Sequence, residues 1–182
     1  KLTHIMEQSK IEQVKKSIRS VKDFPKKGIL FRDLTTALKD PEALKIITEG
    51  LEEQYRGLGV TKVVGIESRG FITGAILAER LGAGFVPLRK PGKLPAVTIK
   101  KSYAKEYGTD TIEIHQDAIE EGDVVLLHDD LLATGGTMAA AYELVMHMNP
   151  KAVYIDFIVE LVDLEGRKFL PAGVPVNSLI KF

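Results

Sequence analysis

The chain has 182 residues, 25 basic and 25 acidic side chains, no net charge and an apolar share of 45%, which fits one globular domain with a substantial core. Balanced charge argues against an electrostatic nucleic-acid binder, and the lack of cysteine removes disulfides, thiolate metal sites and a catalytic thiol. No stretch reads as a secretory leader or reaches the apolar length of a membrane span, so a cytoplasmic enzyme is the expected class.

Ile11, Val14, Ile18 and Val21 recur at helical spacing among charged residues and predict an amphipathic first helix. Pro25 and Gly28 break that pattern over residues 23–31. Asp40, with Pro41 behind it, suits the N-cap of a second helix that carries Leu44, Ile47, Leu51 and Tyr55 on one side and stops at Gly57 and Gly59. From Lys62 onward, apolar runs and helical patterns alternate. Strands are predicted over 63–66, 85–88, from 124, and over 153–159, with helices over about 71–81 and over 138–148. That order predicts an α/β fold, a doubly wound parallel sheet with right-handed crossovers. Residues 94–115 interrupt it as a polar, β-prone insertion that suits a hairpin, and 174–182 can add an edge strand. Neither repeats nor a second domain are visible, so residues 1–182 are read as a single domain.

Residues 124–137, VVLLHDDLLATGGT, are the most informative. The apolar run from Val124 to Leu127 suits a buried parallel strand, with His128, Asp129 and Asp130 at its carboxyl end, the edge at which open α/β sheets bind ligands. Ala133, Thr134, Gly135, Gly136 and Thr137 then open a helix. Glycines let the amides curl inward, and Thr134 and Thr137 supply hydroxyl donors at the unsatisfied helix start, which together attract a phosphate. A nucleoside-triphosphatase loop needs Lys where Gly136 stands, so ATP hydrolysis is disfavoured. Adjacent carboxylates call for a magnesium ion or a sugar diol. In an extended strand they point to opposite faces, one toward the ligand and one toward the fold. The alternative for any lone Gly-Gly turn is an ordinary strand, turn and Thr-capped helix.

Two further groups suit anions. Arg69 lies at a strand end in the run Gly65-Ile66-Glu67-Ser68-Arg69-Gly70, whose glycine spacing does not match a dinucleotide fingerprint. Arg89, Lys90 and Lys93 crowd around Pro91 and Gly92 with no acids interleaved locally, which points to a polyanion, a solvated basic turn being the alternative. By their own pattern, Glu106 and Tyr107 read as an exposed pair and Phe31 as a core aromatic. The four His residues show no ligand spacing, and none is assigned to a metal.

The run HDDLLATGGT resembles the phosphoribosyl diphosphate (PRPP) signature of the type I phosphoribosyltransferases, and its LLATGGT portion resembles the adenine-using branch. That family usually has an aliphatic residue where His128 stands. Matches run in family order from Asp23 to about Glu160. The resemblance implies a type I phosphoribosyltransferase fold with a flexible β flap over about 94–115 and a small N-terminal hood over about 1–35. It implies purine salvage, the transfer of the 5-phosphoribosyl group from PRPP to adenine to give AMP and diphosphate, with Mg2+ as cofactor. The 5-phosphate then falls to Ala133, Thr134, Gly135, Gly136 and Thr137, and the diphosphate to Glu67, Ser68, Arg69, Gly70, Arg89, Lys90, Lys93 and Tyr107. The basic turn often reaches a partner subunit's site in the family, which implies a homodimer. Leu30, Phe31 and Arg32 are implied to bind adenine, the main chain near Leu30 reading the amino group and Phe31 stacking on the ring. Ser102-Tyr103-Ala104-Lys105-Glu106-Tyr107-Gly108 matches the flap, with Glu106 as the proton-transfer group. Glu106, Asp129, Asp130 and Arg69 make up the implied catalytic set; the metal receives no direct protein ligand, Asp129 and Asp130 reaching it through water. No nucleic acid or membrane is expected as a partner. Two alternatives stay open: a 6-oxopurine transferase, for which no matching Lys is found, and a non-catalytic PRPP-sensing regulator, for whose nucleic-acid-binding appendage length and charge leave no room.

Overall fold

A computed structural model describes residues 6–105 and 107–182. In chain order its elements are α1 (Gln8–Ser17), β1 (Arg19–Lys22), β2 (Leu30–Asp33), α2 (Thr35–Leu38), α3 (Pro41–Tyr55), β3 (Lys62–Ile66), α4 (Arg69–Leu81), β4 (Gly84–Leu88), β5 (Thr98–Ala104), β6 (Thr109–His115), β7 (Val124–Leu132), α5 (Gly136–Met146), β8 (Ala152–Glu160) and β9 (Val176–Lys181). Two 3-10 turns, Val162–Leu164 and Gly166–Phe169, lie between the last two strands.

Five strands form one sheet in the order β4-β3-β7-β8-β9, parallel throughout. The continuous apolar character of β7 follows from burial on both faces. Val125 and Leu127 join the cluster beneath α5 and the hairpin β5–β6, whereas Val124 and Leu126 join the cluster beneath α1, α3 and α4. This is the doubly wound arrangement that the alternating pattern predicts. The tail supplies the edge strand β9, and the polar insertion is the antiparallel hairpin, Ala104 facing Thr109. Asp40 caps α3, its carboxylate accepting from the Glu42 and Ala43 amides at 3.0 and 3.4 Å.

Three expectations are corrected. Val21 is not helical: α1 ends at Ser17, and Val21 lies in β1 opposite Phe31 of β2. A cross-strand partner distant in sequence outweighs the helical spacing there. The helices α4 and α5 begin at Arg69 and Gly136, two residues earlier than their apolar patterns show, and α5 ends at Met146 rather than Met148. Finally, β7 does not end at the acid pair but runs two residues past it, to Leu132. Its pairing with β3 ends at Gly65↔His128, while pairing with β8 continues through Leu132↔Glu160. Asp129 and Asp130 therefore lie where β7 has outrun one neighbour, still at the carboxyl edge of the sheet.

Candidate active site

The strand's alternation decides where each acid goes. Asp129 is on the side of α5 and the hairpin, where it lines two adjoining clefts. His128 and Asp130 turn toward α4. Asp130 is buried and pairs with Nε of Arg69, the first residue of α4. His128 Nε2 meets Thr73 Oγ1 at 2.7 Å, and its Nδ1 meets Asp156 Oδ2 at 3.0 Å. Asp156 also accepts from Tyr55 Oη at 3.1 Å and Asn177 Nδ2 at 3.3 Å. The residue that departs from the family pattern thus sits at the centre of a polar network in which Tyr55, Thr73 and Asp156 are buried with it and Asn177 is partly buried.

The first cleft is the cradle, built by Ala133, Thr134, Gly135, Gly136 and Thr137 with Asp129 as part of its wall. Gly135, at φ +89°, turns the chain into α5, and no side chain caps that helix start. Its first amides are therefore free to serve a ligand, with the positive end of the helix dipole behind them. The Thr137 hydroxyl lies 2.8 Å from Tyr103 Oη in the hairpin. Thr134 is exposed.

The second cleft adjoins the first and is lined by Glu67, Arg89, Lys90, Tyr103, Lys105, Asp110, Asp129 and Thr137. Its cations are compensated by acids from other elements, contrary to the reading of the basic turn as unpaired. Glu67 accepts from Arg89 Nη2 at 3.0 Å, Lys93 Nζ at 2.6 Å and the Lys90 amide at 2.7 Å. Lys90 Nζ pairs with Asp110, as does Lys105 Nζ at 2.6 Å. Burial works to raise the Glu67 carboxyl, but hydrogen bonds from Lys93, the Lys90 amide and Arg89 outweigh it and bring it down to about 2. Burial likewise opposes Lys105 and Lys90 at Asp110, and the lysines win, holding it well below the usual carboxylate range. Arg89 Nε is buried and has no hydrogen-bond partner among the described residues. At Asp129 nothing reverses the effect of burial: burial first, and then the neighbouring Asp130 carboxylate, push its carboxyl well above the ordinary value.

The phosphoribosyl transferase domain family matches residues 35–168. The adenine phosphoribosyltransferase of Bacteroides thetaiotaomicron is 60% identical over 169 residues, 93% of this chain and 96% of that one. The chain belongs to the adenine phosphoribosyltransferase family. Among solved structures, adenine phosphoribosyltransferase from Rhodothermus marinus superposes with a TM-score of 0.91 at 52% identity, covering 97% of this chain and 100% of that one. The Saccharomyces cerevisiae adenine phosphoribosyltransferase, complexed with an imino-altritol bisphosphate and adenine, gives 0.89 at 39% identity, covering 96% and 100%.

The remaining residues implied by the family resemblance do not share one environment. Ser68 is exposed and linked to Glu67 by a cis peptide. Gly70 is buried against the acid strand, where a Cβ would come within 3.1 Å of Asp129 Oδ1, so its lack of a side chain lets α4 start beside the acids. In the hood, β1 and β2 present Arg19, Val21, Phe31 and Asp33 on one face and Ser20, Leu30 and Arg32 on the other. Phe31 meets Phe24 edge-on at 5.1 Å, and Asp33 on the same face pairs with Arg19. The Arg32 side chain points away, donating to Ser20 Oγ at 2.6 Å and stacking 4.2 Å over Phe182. Tyr107 also stands apart, 76% exposed with Lys26 Nζ 4.8 Å over its ring. Glu106 lies outside the described residues.

Residues missed from sequence are Lys105, Asp110 and Gly166, along with the placement of Tyr103 between cradle and cleft. Hairpin alternation with a turn near Gly108 is a signal for pairing Tyr103 with Asp110. For Gly166, which backs the cradle, no local signal exists.

Proposed function

We propose that the chain transfers the 5-phosphoribosyl group from PRPP to adenine, giving AMP and diphosphate. One observation carries this reading: Asp129 and Thr137 line both clefts, so an amide cradle and a cluster of cations form two ends of one site with a carboxylate between them. A pentose bearing a monophosphate at one end and a diphosphate at the other matches that layout. The family membership supplies the base.

In this reading, the cradle grips the 5-phosphate while Arg69, Arg89, Lys90 and Lys93 gather the diphosphate. Ser68 and Gly70 offer backbone beside them. Glu67 takes the role of internal counterion, keeping the cations together until the diphosphate arrives. As the diphosphate departs, positive charge accumulates on the ribose, and Asp129 stabilises it from the cleft wall. Asp130 positions Arg69. Adenine lies on the Phe31 face of the hood, read by the main chain of Leu30, Phe31 and Arg32, and its nitrogen attacks the face opposite the leaving group. Glu106 and Tyr107 belong to the flap, where Glu106 handles the base proton. Most of the rate gain comes from positioning and electrostatics, since no covalent nucleophile is required.

The Asp129 carboxylate on the wall shared by both clefts suits an ion whose other oxygens come from substrate and water. Asp129, on the cleft wall, would hold magnesium through water, and the ion would supply charge neutralisation at the diphosphate; Asp130, turned toward α4 and paired with Arg69, would act on it only through that arginine. The family resemblance further supports a homodimer acting in the cytoplasm, and no described helix is long and apolar enough to cross a membrane. A spectrophotometric assay of AMP formation from adenine, PRPP and magnesium tests the reading. Formation of product from hypoxanthine or guanine instead, or no product at all, overturns it.

A further inference from the structure

Tyr103 has no substrate-holding role in the assignments above, yet its hydroxyl joins the hairpin to the cradle. It lies 2.8 Å from Thr137 Oγ1 and donates to Asp110 Oδ2 at 3.3 Å. Its ring covers Gly136, at which a Cβ would come 3.5 Å from Tyr103 Cδ2. Tyr103 and Asp110 face each other across β5 and β6, and Asp110 in turn holds Lys90 and Lys105. The hydroxyl therefore stands between the phosphate loop and the carboxylate that organises part of the cation cleft.

Donor arithmetic then sets a direction. Each hydroxyl carries one hydrogen. While Tyr103 gives its hydrogen to Asp110, Thr137 gives its own to the Tyr103 oxygen. A phosphate dianion only accepts, so with the cradle filled Thr137 turns its hydrogen to the phosphate and Tyr103 turns its hydrogen to Thr137. The new chain, phenol to alcohol to phosphate, is charge-assisted and stronger than the neutral pair. What it gives up is the longer contact, at 3.3 Å, with an Asp110 that keeps both lysines.

Building on the phosphoribosyltransferase reading, we propose that Tyr103 is a positioning residue that couples occupancy of the 5-phosphate cradle to docking of the hairpin β5–β6. Because coupling is reciprocal, a docked hairpin also tightens the cradle's grip, by about fivefold for one hydrogen bond.

Hydrogen–deuterium exchange on the full chain with ribose 5-phosphate tests this, since that ligand fills the cradle without bringing a diphosphate or a base. In the unaltered protein, the ligand slows exchange both in the cradle and in the hairpin. In Tyr103→Phe it still slows the cradle, binds about fivefold more weakly, and leaves hairpin exchange unchanged. Thr137→Val breaks the link from the other side and gives the same loss at saturating ligand, while Thr137→Ser retains the coupling. A purely structural Tyr103 would, when replaced, speed hairpin exchange equally with and without ligand, and that outcome overturns the proposal. Hairpin protection of full size in Tyr103→Phe overturns it as well. Absence of cradle protection in the unaltered protein overturns the reading of the loop as a phosphate site, and the coupling falls with it.

Discussion

Gly135 and Gly166 meet backbone to backbone: a Cβ on Gly135 would stand 2.4 Å from the Gly166 carbonyl oxygen, and one on Gly166 would stand 2.4 Å from the Ala133 carbonyl oxygen. The cradle is thus braced by a 3-10 turn about thirty residues later in the chain. Gly166→Ala should force the two segments apart, lowering stability by about 1–3 kcal/mol and weakening PRPP binding about tenfold or more. Urea unfolding and a PRPP titration check both. Binding at full strength in a folded Gly166→Ala protein would show that the cradle does not depend on the brace.

Asp129 carries a cost that its function explains. With its carboxyl held above the ordinary value by burial and by Asp130, the folded state resists an ionisation that the unfolded chain accepts freely. The penalty is absent below the unfolded value of 3.8, grows as pH rises past it, and is complete above the raised folded value. Asp129→Asn should therefore be more stable than the unaltered protein at neutral pH, with the gap closing in acid, while turnover falls about 100-fold or more. Urea midpoints from pH 3 to 8, set beside steady-state rates, test the trade.

Glu67 gives the opposite sign. Its folded value of about 2 lies below the ordinary 4.5, so its contribution to stability is present above 4.5 and is lost as pH falls through about 2. The stability lead over Glu67→Gln should hold steady above pH 4.5 and shrink between 4.5 and 2. A lead that stays constant down to pH 2 would mean that the contacts with Arg89 and Lys93 contribute nothing.

His128→Val restores the aliphatic character usual in the family but leaves the Thr73 hydroxyl and Oδ2 of Asp156 without their histidine partner in a fully buried site. A loss of about 3 kcal/mol is expected, and Thr73→Val added to it should cost less than it does alone. Urea unfolding of the two single variants and the double variant measures this coupling.

Glu106→Ala should leave PRPP affinity within about twofold and cut base transfer about 100-fold or more. Single-turnover kinetics with saturating PRPP separate the two effects. A variant that turns over at full rate removes Glu106 from the proposed proton transfer.

The family, the doubly wound sheet and the cradle are legible in the sequence because each is written within a few neighbouring residues. Apolar runs alternate with helical periods, Asp40 caps the helix that begins beside it, and Gly135 and Gly136 come soon after the acids. By contrast, a helical spacing through Val21 misleads, since its strand partner Phe31 lies across a turn. The same holds for the basic turn: Glu67 and Asp110, which neutralise Arg89, Lys90 and Lys93, stand about twenty residues away on either side. Strand alternation foretells that Asp129 and Asp130 part company, but only the packing of α4 shows that Asp130 takes Arg69 and Asp129 faces the clefts. The sequence by itself determined which chemistry is present and in what order it comes. Tertiary structure decided which charges meet, because an ion pair depends on crossovers and strand register that bring distant segments within a few ångströms, and no local pattern encodes that distance.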